Sequence, residues 1–396
     1  MFKELGQSEV YFYYGQKKIF MDDEGERFLK QNEYIIQNQI YTREQIEKLS
    51  LEDWAVNRIT NMPRSLFKYF RNVVDGKTGR NYSLEALENN TVYLQSPDEF
   101  DDVYDCSIVF DEYEYSFTRL RYYASYCGFD IKEVDYWKFI YVFAKKIYEK
   151  VIKLQQDGMG LENALKQVFK ISGDGTKQDH THLMFVLEMC IELKKNYDKE
   201  NVWQTAFTGA LISEINFIRK ALSEDFRIAC FSTSPYMNRM WAAQYADNHK
   251  GFCIEYKIPE YSKEYLNIFH NLFPVIYSDV RTSVLNECLK YIEDKTDKQL
   301  IESIYKYGVL TKSKDWMEQD EWRLVSMGTM LADDQNCKFF PIQKVYLGNR
   351  MQNEERKKVI DICKRKGIAY SGIIHISDRY ELTSCSGLCE QCPRLR

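Results

Sequence analysis

Apolar residues fall in short runs bounded by turn formers at both ends of the chain, and a helical period fills the middle. "SLFKYF" at 65–70 and "TVYLQS" at 91–96 read as strands, with a Gly-containing loop and a short helical "SLEALENN" between them. Strand-like runs return at 226–232, 251–257, 273–278, 322–327, 338–347 and 368–376. From about 111 to 224 the period is that of helices: a run over 132–154, then "LENALKQVF", then "NVWQTAFTGALISEINFIRKAL", interrupted by the turn-rich "SGDGTKQDHTH" at 172–182. Two further helices are expected at 284–295 and 297–309, and a basic helix at 354–366 precedes the last strand.

This order is that of an α+β protein. A central antiparallel or mixed sheet is assembled from both ends of the chain and interrupted by a large helical insertion at about 111–224. Residues 1–64 read as an amino-terminal extension, in which Thr42 and Gln45 form a capping box for a helix through "IEKLSLEDWAVNRI". The core spans 65–384, and 385–396 is a Cys-rich tail.

Composition narrows the classes. With 54 basic and 59 acidic residues the formal charge is −5, which excludes a general nucleic-acid sleeve and leaves room for a local basic patch. The 44% hydrophobic content, with 30 Tyr and 23 Phe, excludes disorder. Neither a secretory signal nor the ~20 consecutive apolar residues of a membrane span is visible, so a cytoplasmic protein without a membrane partner is expected. Cys190, Cys230 and Cys253 sit inside apolar runs and read as reduced core thiols.

The tail is different. Cys385, Cys389 and Cys392 are spaced C-x3-C-x2-C, with His375 ten residues upstream, a donor set sufficient for tetrahedral zinc. Three unliganded thiols and a buried His375 with an ordinary partner are the alternative.

Five landmarks, "LFKYF", "VYLQSPDEFDDVYDC", "CFSTSPYMNRMWAAQYADNHKGFCIEY", "KSKDWMEQDEWRLV" and "IQKVYLGNRM", resemble in order those of the bacterial domain of unknown function 2971 family over roughly 65–384. Asp101 and Asp102 stand where that family usually shows Asn-Asp-Pro, and Gln319 stands where it usually has Glu. The family supplies no chemistry. "FSTS" at 231–234 followed by "QDEW" at 319–322 is, however, similar to the signature of ADP-ribosyltransferases.

That similarity implies a sheet of the ADP-ribosyltransferase type and NAD as substrate. Ser232, Thr233 and Ser234 would order the nicotinamide ribose pocket, Glu321 would hold a ribose hydroxyl while the glycosidic bond breaks, and Gln319 would position the acceptor. Lys68 or Arg71 would meet the pyrophosphate, and Trp241 and Tyr245 would stack on a ring. His249 would carry a proton. The acceptor would be a protein or nucleic acid, the setting a bacterial toxin or phage-defence effector, and the helical insertion a surface for a regulatory partner or for self-association.

Other readings stay open. "STSP" also makes an ST-turn before Pro235. Trp241 and Tyr245, four apart, also form one buried helical stripe. Asp247 to His249 also suit a helix end leading into Gly251, and Glu321 also suits a strand face shared with Arg323. Asp101, Asp102, Asp105 and Glu321 would suit a magnesium-dependent nuclease or phosphoesterase. A pocket that senses a ligand without turnover is the third class.

Overall fold

The computed structural model describes residues 12–13, 17–18, 33–37, 39–50, 54, 59, 61–100, 102, 104–106, 149–168, 216, 220, 224–242, 244–282, 302–327 and 335–385. The chain divides into two compact units. One comprises 1–29, 108–222 and 281–309. Its described elements include the antiparallel pair Phe12–Tyr13 and Lys17–Lys18, the helix Leu161–Val168 and a π-helical turn at Ile304–Val309. The other comprises 30–107, 223–280 and 310–396, and it is the α+β unit that carries the sheets. Most of the expected helical insertion falls in the first unit.

Five strands of the second unit form a mixed sheet in the order Leu382–Ser384, Ala369–His375, Ile342–Leu347, Phe252–Lys257 and Ser65–Phe70. The neighbours Ile342–Leu347 and Ala369–His375 run parallel and the other pairs antiparallel. Phe252–Lys257 lies inside this sheet and is buried on both faces, its one buried charge, Glu255, accepting from the hydroxyls of Ser65 and Tyr346. Phe252, Ile254 and Tyr256 join Leu66, Val345 and Leu347 in the larger core, and Cys253 faces Phe67, Tyr69 and Tyr346 in a smaller one. The helix Asn353–Lys366 supplies Val359, Ile360, Ile362 and Cys363 to the larger core. Glu354 and Glu355 suit its positive end, and it stops at Gly367 with φ 65°, whose N–H reaches the carbonyls of Cys363 and Lys364.

A second sheet places Trp322–Met327 between Phe226–Phe231 and Leu272–Pro274, all antiparallel. Period-2 alternation sends Trp322 and Leu324 into the larger core and leaves Arg323 on the opposite face beside its partner Cys230. The two sheets meet where Phe67 and Ser232 exchange backbone hydrogen bonds of 2.8 Å, and the surface curls into a half-barrel.

Several boundaries differ from the sequence pattern. The run 338–347 is two strands, Asn336–Lys338 and Ile342–Leu347, because Pro341 has no N–H for a ladder. The run 273–278 splits at Val275 into Leu272–Pro274 and Ile276–Tyr277, which belong to different sheets. The capping box at Thr42 and Gln45 is present, but its helix, Arg43–Lys48, is six residues long. The expected helices at 284–295 and 201–222 fall outside the described residues or have only isolated described positions, and of the run 132–154 only 149–154 is described, as helix.

The stretch from Asp247 to His249 is unusual backbone. All three residues have positive φ, at 46°, 51° and 65°, and the chain then enters Phe252–Lys257 through Gly251. A side chain cannot be added there: a Cβ on Gly251 would lie 2.0 Å from the Phe70 carbonyl oxygen, and one on Gly348 would lie 2.1 Å from that of His249. The bonds Gly348 N–H to Gly251 O and Arg350 N–H to His249 O, both 3.0 Å, explain the close approach. Gly251→Ala and Gly348→Ala are therefore expected to lose about 3 kcal/mol or more in chemical denaturation, because the clash is with backbone. Gly76→Ala, with nothing within 4 Å of the new carbon, should change little by the same measurement.

Candidate functional site

Where the two sheets adjoin, a cleft of about 1170 Å³ opens within the second unit. Its floor is built from charges. Ser313 caps the short helical turn Lys314–Gln319, which ends with Asp320 in the left-handed region at φ 40°. That reversal brings Lys312 and Gln319 back beside Glu321, whose N–H is held by the Tyr277 hydroxyl at 2.8 Å. On the other side, Asp102 shapes a turn by accepting from the Tyr104 N–H through Oδ1, at 2.9 Å, and from the Trp316 Nε1 through Oδ2, also at 2.9 Å. The turn delivers Asp105.

Four buried ionic side chains then meet. Lys312 Nζ has three acceptors for its three protons: Glu321 Oε2 at 2.5 Å, Gln319 Oε1 at 2.9 Å and Asp105 Oδ2 at 3.1 Å. Arg323 binds Glu321 Oε1 through Nε and Asp105 Oδ1 through Nη2, each at 2.6 Å, and reaches the Cys106 sulfur through Nη1 at 3.0 Å. Both carboxylates are thus bridged by both cations. Burial alone would raise the Glu321 pKa, but Arg323 and Lys312 outweigh it and leave the carboxyl at about 2. Burial likewise disfavours a charged Lys312, and the carboxylates of Glu321 and Asp105 override that and keep it protonated. Burial pushes the thiols of Cys106 and Cys230 up, so neither is a thiolate at neutral pH.

The cleft brings together Lys68, Arg71, Ser232, Tyr245, Gln319 and Glu321 from the residues singled out in the sequence. Ser232 lies opposite Glu321, one residue beyond the pair Phe231 and Trp322. Its hydroxyl contacts Met237 Sδ at 3.0 Å. Thr233 donates to Asp320 Oδ2 at 2.5 Å, and the Ser234 oxygen accepts from the Tyr236 N–H at 3.2 Å, so these two hydroxyls serve the turn. Trp241 is fully buried in the smaller core, donates to the Pro235 carbonyl at 2.7 Å and packs edge-on against Tyr69. It does not line the cleft.

His249 is away from the cleft too. Its ring stacks on Trp241 at 5.8 Å and tilts against His375 at 5.4 Å, and Nδ1 has no hydrogen-bond partner among the described residues. His375 is thus a neighbour of His249, while the Cys385 N–H bonds the Gly372 carbonyl at 2.7 Å. Cys389 and Cys392 lie outside the described residues, among which no group of three or more His, Cys, Asp or Glu is arranged to hold a metal. Asp101 lies outside them as well.

The sequence reading missed Lys312, which carries the floor, and the cleft walls Arg80, Tyr82, Tyr93, Phe100 and Trp316. Lys312 had a signal: it opens the landmark that contains Glu321.

Residues 240–324 match the model of a family described as "Protein of unknown function (DUF2971)". That segment holds Trp241, the left-handed stretch and the acidic strand end. Neither a curated protein nor a solved structure matches the chain. No helix of the described residues is long and apolar enough to cross a membrane.

Two outcomes follow from the charges. Lys312→Met leaves two buried carboxylates facing one guanidinium and should cost about 3–5 kcal/mol in urea denaturation. Stability should also fall with acid in two windows. His249, held neutral by burial and by His375 and Arg350, has its pKa depressed from 6.5 to about 4, so the unfolded chain binds a proton that the folded chain refuses. Its contribution is complete above 6.5 and is lost as pH falls toward 4, and His249→Asn, which tolerates positive φ, should flatten that part of a melting-temperature profile. The Glu321 contribution is complete above its ordinary 4.5 and is lost as pH falls toward about 2.

Proposed function

We propose that the cleft binds a nucleotide of the NAD class and that the bond between nicotinamide and ribose is broken at the strand ends carrying Ser232 and Glu321. One observation carries this: Ser232 lines one cleft at adjoining strand ends with Gln319 and Glu321, which are distant from it in sequence. The walls suit such a ligand. Arg71, Arg80 and Lys338 offer cations to phosphate, and Tyr82, Tyr93 and Trp316 offer aromatic faces to bases.

In this reading Glu321 supplies a carboxylate that is ionised at every physiological pH and fixed by two cations. Since the quartet is neutral overall, stabilisation of an oxocarbenium-like state comes from the nearness of one oxygen and not from net charge. Gln319 is held by Lys312 through its carbonyl, while its amide donates to the Met240 sulfur at 3.5 Å, a weak contact that an incoming acceptor would replace. The cleft's own residues thus bind, orient and stabilise, and no described group in it is placed to move a proton through His249.

A second reading is favoured by the saturation of Glu321: a carboxylate already engaged by Lys312 and Arg323 is also what a sensing pocket would have, binding a nucleotide without turnover. A magnesium-dependent phosphoesterase draws less support, because Asp105 and Glu321 spend their oxygens on the same two cations.

Titration calorimetry with NAD and chromatography of released nicotinamide separate these readings. Binding with nicotinamide release is expected, and Glu321→Gln should lower the rate about a hundredfold or more. Because that change also loosens the quartet, its melting curve is needed, and Gln319→Ala serves as a second variant that keeps every ion pair. Binding without release supports the sensing pocket. Wild-type protein that fails to bind NAD overturns the nucleotide reading.

A further inference from the structure

Lys68 differs from three other cations of the cleft. Lys312 has two carboxylates, Arg80 is paired with Glu85, and Lys338 donates to the Asn89 carbonyl at 2.6 Å. Lys68 has a single hydrogen bond, to the Cys230 carbonyl at 3.2 Å, and among the described residues no carboxylate lies within ion-pair distance. Its surroundings are aromatic: Nζ is 5.4 Å from the centre of the Phe231 ring and 6.0 Å from that of Phe70. Mid-strand in Ser65–Phe70, opposite Ile254, the side chain is fixed at its root by the sheet and half-buried in the cleft wall.

An ammonium in such a place has lost water and gained no counter-ion. Burial lowers the Lys68 pKa, with Cys230 and Glu321 opposing. A neutral amine keeps its bond to the Cys230 carbonyl with one N–H and still has a lone pair. That combination of ligand access, rigid placement and a missing counter-ion is what nucleophilic lysines share.

We propose that Lys68 is a nucleophile that forms an imine with a phosphate-bearing aldehyde or ketone held in this cleft. The lone pair of Nζ attacks the carbonyl carbon and the carbon–oxygen π bond becomes a hydroxyl, which takes up one amine proton and gives a carbinolamine. Loss of that hydroxyl together with the remaining amine proton forms the C=N bond and releases one water. No electron is gained or lost. Arg71, Arg80 and Lys338 in the same walls account for the phosphate. The inference rests on the cleft being the ligand site and not on NAD being the ligand, although ribose freed from nicotinamide is itself an aldehyde in its open form.

The probe is pyridoxal 5′-phosphate, which carries both groups, with sodium borohydride to reduce any imine to a stable secondary amine and peptide mass mapping to find it. Lys68 should be modified faster than the exposed lysines, since its amine is held in the cleft wall without a carboxylate partner and burial favours its neutral form. Excess inorganic phosphate should slow that labelling. Lys68→Arg, which keeps the cation and loses the nucleophile, should lose the rapid adduct while its melting curve is retained. Adducts confined to exposed lysines, or Lys68 labelled no faster than they are, overturn the proposal, and the wild-type map decides this even if the variant does not fold. Labelled Lys68 with no NAD consumed leaves this inference standing and removes the NAD-cleavage reading; the reverse pattern does the opposite.

Discussion

Asp105, Lys312, Glu321 and Arg323 are all buried, and charges removed from water survive only if they neutralise one another with good geometry. Here each carboxylate is bridged by both cations at 2.5–3.1 Å. The constraint reaches well beyond these residues. It fixes the turn that Asp102 builds, the left-handed reversal at Asp320 and the placement of Lys312 beside Tyr277, because a shift in any of them would strand a buried charge. An apolar cluster of the same volume would hold the strands together at least as well. What the ions add is a single permitted arrangement of three segments that are far apart in sequence.

The same neutrality shapes the chemistry available. Lys312 has no proton left for a ligand, and Glu321 has no freedom to change its ionisation near neutral pH, so the floor of the cleft is a fixed dipolar surface. Reactivity has to come from groups the quartet does not consume. Lys68 is such a group. The two lysines make the contrast plain: one ammonium is saturated by acceptors and held protonated, the other faces two aromatic rings and one carbonyl.

Strands were legible wherever burial imposed a clear rule. Ser65–Phe70, Phe226–Phe231, Phe252–Lys257, Trp322–Met327 and Ala369–His375 stand within a residue or two of their apolar runs, because strands packed into the interior must be mostly apolar. The helix at Asn353–Lys366 was legible from its charges and from Gly367. Elsewhere the pattern was silent about backbone: nothing in the apolar run 338–347 except Pro341 marks the break between two sheets. In the site, Glu321 and Ser232 stood out by residue type, whereas Trp241 and His249 drew notice for the same reason and sit in the smaller core and beside it. Lys312 went unremarked because a lysine among charged neighbours looks like surface. Only tertiary contact with Asp105, some two hundred residues away, makes it interior.

The matched segment 240–324 sharpens the point about charge. It contains Lys312, Arg323 and Glu321, two cations and one carboxylate, and so carries a surplus of one buried positive charge by itself. Asp105 lies outside the segment and removes that surplus through contacts of 2.6 Å to Arg323 and 3.1 Å to Lys312. Phe67, whose backbone joins the Phe226–Phe231 strand at Ser232, lies outside it as well. The segment therefore holds the reactive-looking acid and the backbone device around Gly251, but neither the charge nor the sheet edge that makes the cleft stable. A cleft of this kind is a property of the whole discontinuous unit 30–107, 223–280 and 310–396, in which Lys68 and Asp105 enter from the amino-terminal piece and Glu321 from the carboxyl-terminal one.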